Sequence, residues 1–233
     1  MANQSIEFIE RSKNLEHVSL PTMGPIHFGW GSATYRSIGK RALDVALVVL
    51  AAPIWMLLVF GLALFVARDG HFPLYSQKRV GKDGRIFTMW KLRSMVPNAD
   101  QRLAAYLAGN PDAKAEWDKT QKLRRDPRVT KFGKVLRKSS MDELPQLWNV
   151  LLGDMSLVGP RPMMLDQRSM YPGSAYYMLR PGITGNWQIS DRNTSSFAAR
   201  AEFDRDYEES LCFRDDVKIL TATFAVVVKG TGC

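Results

Sequence analysis

Residues 139–162 have the sequence SSMDELPQLWNVLLGDMSLVGPRP, which predicts both a local fold and a chemistry. Apolar residues recur in it at i, i+3, i+4 and i+7, the spacing of an amphipathic helix: Leu144, Leu147, Trp148 and Leu151. Pro145 has no N–H to donate, so it must lie in the first turn, and the helix begins no earlier than Met141. Two adjacent carboxylates, Asp142 and Glu143, therefore stand directly in front of a helix.

These carboxylates have two interpretations. An acid at a helix start accepts hydrogen bonds from free N–H groups, so Asp142 could be an N-cap, and Ser140 with Glu143 has the spacing of a capping box. Alternatively, the acids could meet a phosphate through a divalent metal. Three cations that could hold phosphate oxygens precede them: Lys134, Arg137 and Lys138. At this point the sequence leaves both interpretations open.

The end of the stretch adds a second candidate binding element. Arg161 lies between Pro160 and Pro162, and its planar donors suit a phosphate or the edge of a uracil. An ordinary rigid turn would have the same composition. Taken together, an acid pair, a metal, a basic cradle and this turn suit phosphoryl transfer with an aspartate as nucleophile.

The charge balance indicates a partner that is rich in phosphate. The 233 residues carry a formal net charge of +9, which fits nucleic acid, anionic lipid or a phosphorylated small molecule. The segment 119–138 holds nine basic residues and one acid, Asp126, and is either a solvated face or a site for headgroups or substrate phosphates. Two cysteines provide no disulfide framework, which favours a reducing compartment.

An apolar run near the N-terminus predicts a membrane helix. The 23 residues from Val45 to Ala67 carry no charge, enough for about 35 Å of helix. Both flanks are basic, which places both ends in the cytoplasm, and Pro53 interrupts the helical hydrogen bonds. A re-entrant helix broken at Pro53 satisfies both observations, and a kinked spanning helix remains the alternative.

The remaining patterns define the expected architecture. We expect a hairpin over residues 72–92, a helix over 98–124 and an acidic helix over 199–216. The fold class is then α+β, a mostly helical cytoplasmic domain with a small β-sheet, joined to the membrane helix and to interfacial amphipathic helices. The predicted division is a tail over residues 1–35, a re-entrant membrane helix over 36–69 and a catalytic domain over 70–233.

Four blocks of the chain together resemble one known family. They occur in the order KRALDVALVV from residue 40, FTMWKLRSM from 87, MDELPQLWNVLLGDMSLVGPRP from 141 and RPGITGNWQIS from 180. From about residue 36 onward, the chain resembles the bacterial sugar transferase family, the monotopic polyprenol-phosphate phosphoglycosyl transferases. It is most similar to the short exopolysaccharide-initiating type, which resembles undecaprenyl-phosphate galactose phosphotransferases.

The resemblance implies a reaction and a location. A sugar 1-phosphate would pass from a UDP-sugar to polyprenyl (undecaprenyl) phosphate with release of UMP, and Mg²⁺ would be the cofactor. The catalytic domain would rest on inner-membrane lipid at the cytoplasmic face of the bacterial inner membrane, with the membrane helix broken at Pro53. The identity of the sugar and the oligomeric state, a homo-oligomer included, are left open.

The resemblance also implies roles for individual residues. Asp142 would attack the sugar-bearing phosphate and form a phosphosugar-aspartyl intermediate, and Glu143 would assist through the metal that both carboxylates bind. Lys91 and Arg137 would bind phosphate. The uridine would contact the turn Pro160, Arg161 and Pro162. Before the membrane run, the motif KR-x-x-D would be interfacial or helix-positioning; its members here are Lys40, Arg41 and Asp44.

The sequence departs from the family pattern at two places, and two other functions are possible. Ala52 precedes Pro53 where the family commonly has serine, so no hydroxyl can satisfy the freed carbonyl; Asn186 and Asp191 also depart from the usual pattern. A membrane-tethered protein that binds anionic lipid without catalysis is the main rival. The apolar run and the lack of a recognisable reading motif argue against a nucleic-acid partner, so none is predicted.

Overall fold

The computed structural model describes residues 33–120, 123, 125–190 and 199–228. Within these ranges the chain is a mixture of helices and two small sheets, as the α+β prediction requires. Nearly all of the predicted tail, Asp191 and part of the basic segment 119–138 lie outside the described residues.

The apolar run forms one long helix. A π-helical turn, Tyr35–Gly39, leads into α1, Lys40–Val66, which includes Pro53. In the part of the chain that the structure describes, this is the one helix long and apolar enough to cross a membrane, by length and composition. The helix is continuous at Pro53, so the structure does not show the predicted break, and the re-entrant path remains a prediction.

One face of α1 packs against the rest of the protein. Val48 and Trp55 are buried in a cluster that also contains Phe87, Met89 and Val150. The other face presents large apolar side chains to the surroundings: Leu50, Ile54, Leu57 and Phe60. The middle of the apolar helix is therefore part of a protein core on one side and suited to lipid on the other.

The motif Lys40, Arg41 and Asp44 attaches the start of α1 to the domain. Lys40 Nζ lies 2.7 Å from a carboxylate oxygen of Asp216, and the Asp44 carboxylate accepts a hydrogen bond from the Leu157 N–H at 3.0 Å. Arg41 donates to the Leu151 carbonyl at 2.8 Å. These contacts agree with the helix-positioning interpretation of the motif.

The other end of α1 is attached to the same domain. Arg93 pairs with the Asp69 carboxylate at 2.6 Å and also donates to the Val66 carbonyl at 3.3 Å. Phe65 contacts Phe132, with ring centroids 4.2 Å apart. Both ends of the apolar helix are thus bound to one polar domain.

The hairpin prediction is confirmed. Strands β1, Leu74–Val80, and β2, Ile86–Leu92, pair antiparallel with Tyr75 opposite Lys91 and Arg79 opposite Phe87. The turn between them requires left-handed backbone at Asp83, with φ of 58°, which aspartate tolerates better than most residues.

The helical prediction for residues 98–124 is confirmed over most of 99–120, but the segment is two helices. The structure has α2, Ala99–Ala108, and α3, Pro111–Thr120. Pro111 lacks an N–H and suits the first position of a new helix, while the Asn110 side chain accepts a hydrogen bond from Ala113 N at 3.1 Å. Helices α4, Lys131–Lys138, and α5, Gln146–Leu152, follow on either side of a 3₁₀ turn, Met141–Glu143.

A second sheet was not predicted. Strands β3, Ser156–Val158, and β4, Gly182–Thr184, pair in parallel and are too short to show a period in sequence. The same part of the chain contains four helices: α6, Ala175–Met178; α7, Asn186–Ile189; α8, Arg200–Ser210; and α9, Phe213–Val228, of which α9 packs against both strands. The expected acidic helix over 199–216 is therefore two helices, α8 and the start of α9.

Candidate active site

The acid pair lies in the 3₁₀ turn between α4 and α5. Ser140, just before the turn, has left-handed backbone with φ of 57°, an uncommon conformation that reverses the chain after α4. Neither Ser140 nor Pro145, the residues that precede the turn and α5, makes a side-chain capping hydrogen bond. The N-cap positions are Ser140 and Pro145, so Asp142 is the N-cap of neither the turn nor α5, although both acids lie in the first turn of the 3₁₀ segment. The burial of Asp142 therefore needs another explanation.

Lys91 reaches this turn from the end of β2. Side chains alternate along a strand, so Lys91 lies on the same face as Phe87 and Met89, which pack in the core beside α5. Its Nζ is 2.6 Å from Glu143 Oε1. The register of the hairpin thus brings a cation from a distant part of the sequence to the acid pair.

Arg137 reaches the same turn from α4, one helical turn after Gly133. Arg137 Nε donates to Ser94 Oγ at 2.9 Å, and Thr130 N donates to the Ser94 carbonyl at 3.1 Å. The Thr130 hydroxyl accepts from Gly133 N at 2.8 Å and caps the helix. Helix α4 therefore starts in direct contact with the chain that leaves β2, and this contact determines where Arg137 lies.

Replacing Gly133 with alanine is expected to displace α4. A Cβ at this position would lie 1.9 Å from the Ser94 carbonyl oxygen, so backbone must move. We expect a loss of about 1–3 kcal/mol in unfolding free energy, the usual range for overpacking, measured by thermal unfolding of the detergent-solubilised protein. Gly61→Ala is the control, because nothing lies within 4 Å of its added Cβ. Equal stability of the two variants would contradict the tight contact.

The charges around Asp142 oppose one another. Burial raises the pKa of this carboxyl, Lys91 lowers it, Glu143 raises it, and Arg137 lowers it. Of the three cations predicted before the acid pair, Lys134 and Lys138 are exposed and are not among the charges that shift the pKa of Asp142. The cradle near Asp142 is therefore made by Lys91 and Arg137, and the predicted roles for Lys134 and Lys138 receive no support from their positions.

The acid pair could hold magnesium only together with a bound ligand that supplies further oxygen atoms. Among the described residues there is no cluster of three or more histidine, cysteine, aspartate or glutamate side chains that could hold a metal ion. Magnesium is usually held by one or two carboxylates together with substrate phosphates, and keeps waters for the remaining positions. Asp142 and Glu143 match that donor set, with Lys91 already at one Glu143 oxygen.

The turn Pro160, Arg161 and Pro162 is held against both sheets. Arg79 Nη1 donates to the Pro162 carbonyl at 3.1 Å, and Gly182 N donates to the Pro160 carbonyl at 2.8 Å. The exposed Arg161 side chain places its guanidinium 5.1 Å from the centre of the Trp187 ring. Rigid backbone thus presents a planar cation beside an aromatic ring.

Sequence reasoning missed the side chains around Arg161. Arg200 also packs on Trp187, with its guanidinium 4.3 Å from the ring centre, and a cavity with room for about one water lies beside them. Asp204 lines this cavity, accepts a hydrogen bond from the Tyr171 hydroxyl at 2.9 Å, and has its pKa raised by burial to about 7. These residues carry no motif, and only the fold brings them together.

The acid turn and the proline–arginine turn lie toward opposite ends of the hairpin. Arg79, which holds the proline–arginine turn, pairs with Phe87, whereas the cation at the acid turn is Lys91, four residues further along β2. At 3.3 Å per residue the two levels are about 13 Å apart along the strand. A ligand that touches both must be extended, with anionic oxygens near Asp142 and a planar polar group near Arg161.

Comparison with known proteins gives a consistent family. A family model described as bacterial sugar transferase matches residues 35–230. The chain is 43% identical over 201 residues to the exopolysaccharide production protein ExoY of Sinorhizobium fredii, which corresponds to 84% of this chain and 88% of that protein.

Two further relatives are longer proteins. The UDP-galactose-lipid carrier transferase of Erwinia amylovora is 44% identical, and the undecaprenyl-phosphate galactose phosphotransferase of Salmonella typhimurium is 42% identical, each over 199 residues. The match covers 83% of this chain and 41% of each relative, so the chain spans about two fifths of their length.

Proposed function

The chain belongs to the bacterial sugar transferase family, and on this premise we propose that it transfers a sugar 1-phosphate from a UDP-sugar to undecaprenyl phosphate and releases UMP. The reaction would be a first membrane step of exopolysaccharide assembly. The observation that carries the proposal is a buried carboxylate, Asp142, that is not the N-cap of α5 and has two cations, Lys91 and Arg137, acting on its charge.

Asp142 is the proposed nucleophile. One of its oxygens forms a bond to the sugar-bearing phosphorus while the bond from that phosphorus to the bridging oxygen breaks, and UMP leaves with the bonding electrons. An oxygen of the lipid phosphate then attacks the same phosphorus, and Asp142 leaves as a carboxylate. Burial favours this role, since a desolvated carboxylate is more weakly held by water than an exposed one.

Lys91 and Arg137 balance the charge that the diphosphate brings. Lys91 is bound to Glu143 at 2.6 Å, and Arg137 is held through Ser94 at 2.9 Å, so both cations are positioned before a ligand arrives. Positioned charges stabilise a phosphoryl transition state without reorganisation. Mg²⁺, held by Asp142, Glu143 and the diphosphate, would supply further charge neutralisation when bound.

The proline–arginine turn is the proposed uridine site. Arg161 is exposed, planar and braced by Trp187, and it lies toward the opposite end of the hairpin from Lys91. A uridine diphosphate is extended enough to place its base near one group and its phosphates near the other. The sugar itself is assigned by no contact among these residues, and a galactose donor is suggested only by the names of the relatives.

Release of UMP across a panel of UDP-sugars tests the function. The protein is incubated in vesicles that contain undecaprenyl phosphate and Mg²⁺, and UMP is measured with each donor. We expect catalytic UMP release with at least one UDP-hexose, and only a stoichiometric burst when the lipid is left out. If no donor on the panel gives UMP above a vesicle blank, the proposed reaction is wrong.

We further propose that the protein is monotopic at the cytoplasmic face of the bacterial inner membrane, with α1 re-entrant at Pro53. Attachment of Lys40 and Arg41 at one end of α1, and of Asp69 at the other, to the same domain favours this topology over a spanning helix. In a background without native cysteines, Ser37→Cys and His71→Cys should react with an impermeant maleimide from the same side of sealed vesicles. Labelling from opposite sides would establish a spanning helix.

A further inference from the structure

Asn149 is a fully buried polar residue that the proposed reaction does not use. It lies on α5, three residues after the helix begins, and none of its surface is exposed. Its Oδ1 accepts a hydrogen bond from Trp90 N at 3.1 Å, and its Nδ2 donates to the Thr88 carbonyl at 2.7 Å. The same Nδ2 is 3.3 Å from Asp154 Oδ2.

The two backbone partners of Asn149 belong to the open edge of β2. In an antiparallel pair, alternate residues direct their N–H and C=O groups toward the partner strand and the others direct them away. The backbone N–H and C=O groups of Thr88 and Trp90 therefore point away from β1. The Asn149 carboxamide supplies the donor and the acceptor that a third strand would supply. Buried groups of this kind are costly to leave unpaired.

This crosslink joins the two elements that make the acid site. Lys91 directly follows Trp90 on β2, and the acid turn Met141–Glu143 comes just before α5. The 2.6 Å contact between Lys91 and Glu143 therefore depends on how α5 lies against β2. Resting on the proposed function, we propose that Asn149 is a positioning residue that sets Lys91 against Asp142 and Glu143.

A carboxamide is required because it carries one donor group and one acceptor group. Ionised aspartate has the same shape but no donor, so it would face the Thr88 carbonyl with a negative charge. Protonated aspartate regains a donor and an acceptor. An Asn149→Asp variant should therefore position β2 poorly when its carboxyl is ionised and well when it is protonated.

The surroundings favour protonation of such a carboxyl within a usable pH range. Burial disfavours its ionised form, and Asp154 is a like charge. The cations on neighbouring elements have other partners: Lys78 donates to Thr88 Oγ1, Lys91 to Glu143, Arg41 to the end of α5, and Arg180 to the Gly153 carbonyl.

The first measurement is the ratio of Asn149→Asp to wild-type UMP release from pH 5.5 to 8.5. We expect a loss of about 10-fold or more at the alkaline end, since a misplacement of about 1 Å can cost about 100-fold, and recovery toward wild type at the acid end. Asn149→Leu keeps the approximate shape without either hydrogen bond, and its ratio should stay low at every pH. Ile219→Ala, in the separate core cluster around Tyr35 and Tyr207, controls for general destabilisation and should give a flat ratio.

The second measurement does not depend on catalysis. Hydrogen exchange of the Trp90 amide, corrected for the intrinsic pH dependence of exchange, should be faster in Asn149→Asp than in wild type at alkaline pH and similar to wild type at acid pH. The proposal would be overturned if the Trp90 amide were as protected from exchange in both Asn149 variants as in wild type. It would also be overturned if protection changed but the ratio of Asn149→Asp to wild-type UMP release did not vary with pH. If wild type releases no UMP, the proposed function fails while the exchange result still decides whether Asn149 positions β2.

Discussion

Asp142→Asn is expected to lower UMP release by about 10³-fold or more, the scale on which loss of a nucleophile affects covalent catalysis. Asparagine keeps the shape of the side chain but cannot form an acyl phosphate. Wild type incubated with UDP-sugar and no lipid should gain the mass of one sugar phosphate on the peptide that contains residue 142, and the variant should gain none. A variant that forms this adduct, or that keeps wild-type turnover, would exclude Asp142 as the nucleophile.

The same variant is expected to be at least as stable as wild type at pH 7. Burial raises the pKa of Asp142 in the folded protein above its unfolded value. As pH rises through the window between the two values, the unfolded chain loses its proton first, so wild type loses stability that it does not regain at neutral pH. Asparagine has no proton to lose, so the difference should vanish near pH 4 and favour the variant at pH 7.

Thermal unfolding in detergent at the two pH values measures this difference. A lost helix cap would instead lower the stability of Asp142→Asn by about 1 kcal/mol. Asp83→Asn removes an exposed carboxylate from the hairpin turn and should change stability by less than about 0.5 kcal/mol at either pH. A destabilised Asp142→Asn beside a neutral Asp83→Asn at pH 7 would mean that the carboxylate holds the fold together.

The sequence predicted those elements whose signals are local. The apolar spacing of residues 144–151 identified α5, and the glycine turn at 81–84 identified the hairpin, because each pattern lies within one element. The split between α2 and α3 was missed, although Pro111 is the kind of residue that starts a new helix. The pair β3 and β4 was missed because three-residue strands that pair across 26 residues have no periodic signal.

The sequence predicted which residues form the acid site but not the tertiary contacts that bring them together. Asp142, Glu143, Lys91 and Arg137 are brought together as the family resemblance implied. Their arrangement depends on contacts between distant residues, such as Gly133 against Ser94 and Asn149 against Trp90, and one sequence gives no means of pairing these. The local pattern predicted Asp142 as an N-cap, whereas the structure has Ser140 and Pro145 at the N-cap positions and joins Glu143 to the distant Lys91.

Asp216→Asn is expected to produce the largest loss of stability. Asp216 is buried on α9, where its carboxylate accepts from Lys40 Nζ at 2.7 Å, from the Tyr35 hydroxyl at 2.6 Å and from the Tyr207 hydroxyl at 2.5 Å. Asparagine would remove the direct ion-pair partner of a nearly buried ammonium and leave Asp44 as the carboxylate that still acts on it, so the cost should approach that of a broken buried pair, about 3–5 kcal/mol. At this chain length the melting temperature should fall by roughly 6–20 °C.

The neighbouring residue provides a matched control. Asp215 pairs with Lys218 at 3.2 Å on the exposed side of the same helix, and Asp215→Asn should cost less than about 1 kcal/mol because water screens the pair. Removing the ammonium as well, in Lys40→Met with Asp216→Asn, should recover part of the loss, since no buried charge is left unpaired and the amide oxygen at 216 can still accept from a tyrosine hydroxyl. Equal effects of Asp215→Asn and Asp216→Asn would show that α1 is not anchored to α9 by this ion pair. The expected order would make the start of α1 part of the same folding unit as α9.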